Sequence, residues 1–144
     1  MDWVLDSSTA LALALPDEAS EHVDHFFGRI TGETVLWVPA LWWYEMANAL
    51  IGAQRRKRLT ERDRIRLLEL YRMLPIQTDT FLDSDAMHRF QTLAMEHELS
   101  AYDAAYLELA QRKGLGLATL DQRLHSAARR AGVKVAFRSA PPLR

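Results

Sequence analysis

Four acidic side chains stand where short apolar segments end or where helices are predicted to begin. They are Asp6 after "WVL", Glu45 in "WWYEMANAL", Asp103 in "SAYDAAY" and Asp121 in "LATLD". In an open parallel sheet, ligands bind at the carboxyl ends of the strands. Carboxylates that meet there repel one another, and a divalent cation such as Mg²⁺ or Mn²⁺ removes that cost. Such a site can activate water and stabilise charge on a phosphoryl group.

Of the four acids, Asp103 has the negative charge that most clearly requires a compensating positive charge. A helix that begins at Ser100 has a predicted outer side with Glu108, Gln111 and Arg112. Its predicted inner side, at the 3.6-residue period of a buried face, carries Leu99, Tyr102, Tyr106 and Ala110. Asp103 falls on the inner side, where a carboxylate is costly unless its charge is compensated. A bound metal ion would compensate it.

Each acid also has a simpler interpretation as part of a helix cap. Asp6 and Asp121 precede predicted helices, and Asp is a favoured N-cap residue. Asp103 lies three residues after Ser100, which is the spacing of a capping box. Glu45 falls on a helix face polar enough to be solvated. Both interpretations stay open for each residue, but four acids at consistent strand ends and helix starts favour a shared site.

The elements that must position these acids alternate along the chain. Strands are predicted for "WVL" up to Asp6, "TVLWVP", "PIQTD", "LGLAT" and "VKVAF". Helices are predicted over "STALALAL" up to Pro16, over "DEASEHVDHFFGRI" up to Gly32, and from near Pro39. Four more are predicted after the N-cap Thr60, over "SDAMHRFQTLAMEHEL", from Ser100, and over "QRLHSAARRAG" closed by Gly132. The alternation predicts an α/β fold, with a mostly parallel sheet of about four to five short strands flanked by helices.

Composition limits the class of protein. A chain of 144 residues with 49% hydrophobic and 26% charged residues is typical of one soluble domain, which we assign to residues 1–137, with a loose tail at 138–144. The absence of cysteine excludes disulfides and thiolate sites. The sequence shows no signal peptide and no apolar run long enough to span a bilayer. We therefore expect a cytoplasmic protein without membrane contact.

The sequence resembles a known family. The motifs "VLDSSTALAL", "YEMANAL", "SAYDAAYLELA" and "LATLDQRL", in this order and at these separations, are similar to those of PIN-domain ribonucleases, and among them of the VapC toxins of bacterial toxin–antitoxin pairs. The resemblance extends from residue 2 to about 137. It implies a three-layer α/β domain with Mg²⁺- or Mn²⁺-dependent endoribonuclease activity. It also implies a homodimer that a cognate VapB-like antitoxin neutralises.

The resemblance assigns roles to individual residues. Asp6, Glu45, Asp103 and Asp121 match the four acidic positions, so it implies that they are catalytic and hold the metal, Asp6 and Asp103 above all. Ser7 and Thr119 match hydroxyl residues that support the acids. The implied reaction is in-line attack of metal-activated water on an RNA phosphodiester, with tRNA or ribosomal RNA as the substrate class.

Basic and aromatic residues are the candidate contacts to partners. The charge balance of 18 basic to 19 acidic residues does not by itself predict a nucleic-acid binder. The clustered cations nonetheless make candidate RNA contacts of Arg55, Arg56, Lys57, Arg58, Arg112, Lys113 and Arg123. The 55–58 run can also be read as a solvated helix end.

Trp42, Trp43 and Tyr44 are consecutive and cannot all point inward on a helix, so at least one ring is expected at the surface. Trp42 and Trp43 are candidate anchors for the antitoxin, the alternative being a core tryptophan with partly covered neighbours.

Two other functions compete with the nuclease. A non-catalytic nucleic-acid or protein-binding α/β module would use the acids only as helix caps. A phosphatase or phosphoacceptor domain also places Asp after its first strand. The haloacid dehalogenase pattern, however, requires a second Asp two positions later, where this chain has Ser8.

Overall fold

The computed structural model describes residues 1–15 and 20–137 and confirms the α/β class. This part of the chain has four strands: β1 (Trp3–Leu5), β2 (Leu36–Pro39), β3 (Ile76–Asp79) and β4 (Gly116–Ala118). They form one parallel sheet in the order β3-β2-β1-β4. The flanking helices are α1 (Ser7–Ala14), α2 (Glu21–Gly28), α3 (Leu41–Arg55), α4 (Glu61–Met73), α5 (Ser84–His97), α6 (Ala101–Lys113) and α7 (Gln122–Arg130).

The order of the strands determines where functional side chains meet. β1 lies inside the sheet, with Val4 opposite Trp37 of β2 and Leu117 of β4. Because every pairing is parallel, all four strands point their carboxyl ends toward one edge. Asp6 follows β1 directly at this edge, and α6 packs against β1, β2 and β4. The fold therefore brings the end of β1, the end of β4 and the start of α6 together.

Helix caps follow the sequence closely in two places. Thr60 and Asp63 form a complete capping box at the start of α4, as predicted from "TERD". The Asp121 carboxylate accepts a hydrogen bond of 2.9 Å from the Leu124 N–H, so Asp121 does cap α7. A cap at this position starts α7 immediately after the sheet edge.

Several predicted boundaries were wrong. Pro39 ends β2 and does not begin α3, and α2 ends at Gly28, four residues before Gly32. The predicted last strand is reduced to an isolated bridge between Val135 and Leu117 of β4. The predicted helix end at Pro16 and the tail at 138–144 lie outside the described residues.

The centre of α6 is buried on all sides, and the predicted inner and outer faces are only partly correct: Tyr106 and Ala110 are buried, as predicted. Residues 104–110 are all buried because α6 lies between the sheet, α5 and α7. Tyr102, predicted to face inward, is 68% exposed, whereas Glu108, predicted to face solvent, is only 4% exposed. Periodicity identifies a helix with one buried face and fails for a helix that is enclosed. None of the helices in the described part of the chain has the length and apolar character needed to cross a membrane.

The contact between Trp3 and Gly116 leads to a prediction about stability. These residues are register partners on adjacent strands, and a Cβ at position 116 would lie 2.4 Å from Trp3 Cζ3 and 2.7 Å from Trp3 Cε3. We expect Gly116→Ala to lower the free energy of unfolding by about 1–3 kcal/mol, because the half-buried Trp3 ring must move. Urea denaturation measures this change.

Gly32→Ala is the matched control, since a Cβ there meets nothing within 4 Å. Its free energy of unfolding should stay within about 0.5 kcal/mol of that of the wild type. Equal effects of the two substitutions would contradict the tight contact at Gly116.

Candidate active site

Asp6 lies at the centre of the site and is buried with its carboxylate held by two hydroxyl groups. It occupies the N-cap position of α1, yet its side chain makes no capping hydrogen bond. Instead, its Oδ2 accepts hydrogen bonds from Ser8 Oγ at 2.6 Å and from Thr119 Oγ1 at 2.7 Å. Asp6 is only 5% exposed. The helix-cap interpretation therefore fails for this residue.

The same two hydroxyls connect Asp6 to the turn that carries Asp121. Ser8 Oγ accepts a hydrogen bond from the Leu120 N–H at 2.9 Å, and Thr119 Oγ1 accepts one from the Asp121 N–H at 3.0 Å. The ends of β1 and β4 are thus joined through side chains as well as through the sheet. The sequence analysis predicted a supporting role for Thr119 but not for Ser8. The second hydroxyl residue in "DSS" is the feature that could have indicated it.

Glu45 reaches the site from α3 and is oriented by a tyrosine. The Tyr106 hydroxyl donates a hydrogen bond of 2.5 Å to Glu45 Oε1. The Ser7 side chain is a further hydrogen-bond partner of Glu45, so Ser7 lies where a supporting residue was expected. Tyr106 is fully buried, and the sequence pattern predicts it only as a residue of the apolar face. The sequence feature that could have indicated this role is that Tyr106 carries a hydroxyl group and falls on the same predicted helix face as Asp103.

Asp103 occupies the first turn of α6 and is half-buried. Its N–H donates to Ser100 Oγ at 3.0 Å, so its backbone takes part in the cap that the "SAYD" spacing predicts. Burial raises the pKa of Asp103, and the neighbouring Asp121 charge raises it further. The Ser100 hydrogen bond and the Arg123 charge act in the opposite direction.

The electrostatics link the four acids. Burial raises the pKa of Asp6 to about 6 against the two hydroxyl hydrogen bonds that lower it, and the Glu45 and Asp103 charges add to the increase. Burial also raises the pKa of Glu45; the Tyr106 hydrogen bond opposes this effect, and the Asp103 charge increases it. Each acid therefore interacts with at least one other, as we expected from their placement at one edge.

The donor set fits a hard divalent cation bound partly by water. In residues 1–15 and 20–137, no three acidic or histidine side chains converge into a ready-made metal cluster. Mg²⁺, however, usually binds through one or two carboxylates together with waters and substrate phosphates. Mutually repelling, partly desolvated carboxylates are the ligands whose charge such an ion would compensate. Such an ion would have Asp6 and Asp103 as its candidate carboxylate ligands, with Glu45 beside them.

The candidate RNA contacts fall into two groups. The first group is exposed and lies around the end of α3: Arg55, Arg56, Lys57 and Arg58. Arg123 is also exposed, and its positive charge lowers the pKa of Asp103. Arg112 and Lys113 already have partners within the chain. Lys113 Nζ lies 3.7 Å from the centre of the Trp37 ring.

Arg112 is ion-paired on both sides of its guanidinium. Its Nη2 lies 2.6 Å from Asp79 Oδ2, and its Nε lies 2.8 Å from Glu108 Oε1. Contact of Arg112 with RNA stays a prediction, but two carboxylates already compensate its charge.

The three consecutive aromatic residues of α3 separate as the helical geometry requires. Trp42 is 1% exposed and packs edge-on against Trp43 and Tyr71, at ring-centre distances of 4.7 and 6.0 Å. Trp43 and Tyr44 are 45% and 79% exposed, which confirms that at least one ring reaches the surface. The use of Trp42 as a surface anchor does not fit its burial, because its side chain faces the core.

The fold, together with the acidic side chains at the carboxyl edge of the sheet, identifies the family of the protein. The residue pattern of the PIN domain matches residues 3–130, and the chain belongs to the PIN-domain family. It is 33% identical over 128 residues to ribonuclease VapC3 of Pyrobaculum aerophilum, an alignment that covers 86% of this chain and 92% of that protein.

Solved structures share the same architecture. A crystal structure of a Pyrobaculum aerophilum protein is 26% identical, with a TM-score of 0.64 over 94% of this chain and 84% of that one. A toxin–antitoxin complex from Klebsiella pneumoniae includes a chain that is 18% identical, with a TM-score of 0.62 over 93% of this chain and 97% of that one. The second likeness supports the fold alone.

The buried carboxyl of Asp6 leads to a prediction about pH and stability. Its pKa is about 6 in the folded state against an ordinary value of 3.8, so ionisation disfavours folding. In metal-free protein, the stability of the wild type should fall as the pH rises from 4 to 6. Asp6→Asn should therefore gain up to about 3 kcal/mol relative to the wild type at pH 7.5, with little of that gain at pH 4.

Urea denaturation in EDTA at both pH values measures the difference. Asp24→Asn, at an exposed position in α2, is the control and should show no comparable change with pH. A stability difference between Asp6→Asn and the wild type that is the same at pH 4 and 7.5 would contradict the assigned pKa.

Proposed function

We propose that the protein is a Mg²⁺- or Mn²⁺-dependent endoribonuclease toxin that acts as a homodimer on tRNA or ribosomal RNA and is neutralised by a VapB-like antitoxin. The observation that carries this proposal is the buried Asp6 carboxylate at the sheet edge, which interacts with Glu45 and Asp103 and is held by hydroxyls. The named ribonuclease relative, aligned over most of both chains, supports the same chemistry.

The side chains of the site have separate tasks in this reaction. When bound, the metal supplies an activated water and stabilises the negative charge that develops on the phosphate. Ser8 and Thr119 hold the Asp6 carboxylate in one orientation, so little reorganisation is needed when a cation binds. The Tyr106 hydroxyl fixes one oxygen of Glu45 in the same way.

Asp121 has two tasks. One carboxylate oxygen caps α7, and the residue lies near enough to Asp103 to raise its pKa. Asp121 therefore completes the acidic pocket without leaving its structural position, and the helix-cap and site interpretations both apply to it.

The proposal predicts metal-dependent cleavage that requires Asp103. Wild-type protein without antitoxin should cut total tRNA or ribosomal RNA into discrete fragments with Mg²⁺ or Mn²⁺ and not with EDTA. Asp103→Asn should reduce the cleavage rate by about two orders of magnitude or more, because a ligand charge is lost. Gel analysis of the RNA measures the rate.

Thermal unfolding provides a readout besides activity. Mn²⁺ should raise the Tm of the wild type and of the control Asp24→Asn, but much less that of Asp103→Asn. A folded wild type that neither cuts RNA nor gains stability from Mn²⁺ would overturn the proposal. The non-catalytic binding module, with acids that only cap helices, would then become the better explanation.

The antitoxin contact is proposed on the exposed side of α3. Trp43 and Tyr44 leave large aromatic surface accessible directly before Glu45. Further exposed apolar side chains lie on α3 and on α4, which pack against each other: Ile51, Ile65 and Leu68. Aromatic residues of this kind dominate binding energies at protein interfaces. The Klebsiella pneumoniae neighbour is itself part of a toxin–antitoxin complex.

Substitution of these aromatics should separate antitoxin binding from catalysis. Trp43→Ala and Tyr44→Ala should each weaken antitoxin binding by about 30-fold or more and leave metal-dependent cleavage intact. Isothermal titration with the purified antitoxin measures the affinity. Met95→Ala, 83% exposed on α5, is the control and should bind as the wild type does.

Trp42→Ala is not a suitable probe of the interface. It removes a core ring and should cost about 3–5 kcal/mol of stability. Unchanged antitoxin affinity in both Trp43→Ala and Tyr44→Ala would exclude this surface as the binding site.

A further inference from the structure

An exposed aromatic ring stands at the same sheet edge as the acids. Phe81 lies two residues beyond the end of β3 and is 52% exposed. β3 is separated from β1 by β2 alone, so the ends of β3 and β1 lie about 10 Å apart. Neither the acidic pocket nor the proposed antitoxin surface on α3 and α4 uses this ring.

Phe81 is supported by a network of charges. The guanidinium carbons of Arg112 and Arg89 lie 5.5 and 6.0 Å from the centre of the ring. Both guanidinium groups are held by Glu108, through Arg112 Nε at 2.8 Å and Arg89 Nε at 3.2 Å. Arg112 also forms a two-point ion pair with Asp79. The ring therefore rests on fixed groups while one part of its surface stays accessible.

A small cavity connects the ring with the elements that carry the acids. It has a volume of about 80 Å³, and its walls include Phe81, Phe90, Leu41 and Ala105. Leu41 precedes Glu45 by one helical turn of α3, and Ala105 follows Asp103 by two residues in α6. A ligand that contacts Phe81 would therefore lie beside the two helices that carry Glu45 and Asp103.

The chemistry beside the ring favours a flat, weakly charged group. Two arginines and two carboxylates balance each other in the network, so it does not attract a phosphate by net charge. Phe81 is 52% exposed, and an exposed aromatic ring is a group on which an unpaired nucleobase stacks. Phe81 and Leu82 are the exposed large apolar side chains of the segment between β3 and α5, and two side chains offer far less than the roughly 800 Å² that each partner buries in a stable protein interface.

We propose that Phe81 is a stacking platform for a nucleobase of single-stranded RNA next to the bond that is cut. This assignment rests on the proposed ribonuclease function and adds a preference for unpaired nucleotides. The Glu108–Arg89–Arg112–Asp79 network acts as its support. Phe81 contributes to substrate positioning, whereas the four acids carry the reaction.

Binding of two RNA probes tests the stacking directly. The first probe is a 12-nucleotide oligoadenylate, and the second is a 12-unit ribose-phosphate chain without bases. Affinities are measured by fluorescence anisotropy with cleavage-deficient Asp103→Asn protein, with and without Phe81→Ala. Phe81→Ala should weaken binding of the oligoadenylate about tenfold and leave binding of the baseless chain within about twofold, because only the first probe can stack.

Conservative variants separate stacking from a general apolar contact. Phe81→Trp should keep the affinity for oligoadenylate, whereas Phe81→Leu should lose as much as Phe81→Ala. Met95→Ala serves as the control for loss of an exposed apolar side chain elsewhere. Thermal unfolding of each variant verifies that the protein is folded.

Each contrary result has a distinct meaning. Equal losses with both probes, or full binding by Phe81→Leu, would overturn stacking, as would a loss of antitoxin affinity in place of RNA affinity. If the wild type cuts RNA in a metal-dependent way and Phe81→Ala changes nothing, the platform is wrong and the ribonuclease proposal stands. A wild type that neither binds nor cuts RNA overturns both.

Discussion

The structure depends on how the Asp6 carboxylate is buried at the carboxyl edge of the sheet. Hydrogen bonds from two hydroxyls, those of Ser8 and Thr119, lower its pKa, whereas burial and the charges of Glu45 and Asp103 raise it. The two hydroxyls also hold the backbone of the turn after β4. The two hydroxyls that join the strand ends therefore also hold a carboxylate whose ionised form is disfavoured by burial and by its acidic neighbours.

A second buried carboxylate shows the contrast. Glu108 is as buried as Asp6, but two arginines donate hydrogen bonds to it and complete its charge balance within the chain. Asp6 receives no ion pair of this kind among the interactions that shift its pKa. Buried charges are tolerated when they are paired or bind a cation. This difference is the physical reason for assigning Glu108 to the framework and Asp6 to the reaction.

Helix α6 connects the site with the framework. It carries Asp103 at its start and Glu108 about one and a half turns further on. The helix is enclosed by the sheet, α5 and α7, so its register relative to the strands is fixed by packing along its whole middle section. Tyr106 lies between the two acids in sequence and directs its hydroxyl at Glu45. One rigid helix therefore positions an acid of the site, orients another, and anchors the arginines beneath Phe81.

The sequence by itself determined the alternation of strands and helices, the capping box at Thr60 and the position of the four acids at strand ends and helix starts. These features depend on neighbouring residues, so local patterns predict them. Only the tertiary structure decided that Trp42 is buried while Trp43 is exposed, that Ser8 and Tyr106 bind the acids, and that Glu108 lies inside while Tyr102 lies outside. Those outcomes depend on which distant segments pack together, because the middle section of α6 is covered from several directions and its periodicity does not reveal which residues there face solvent.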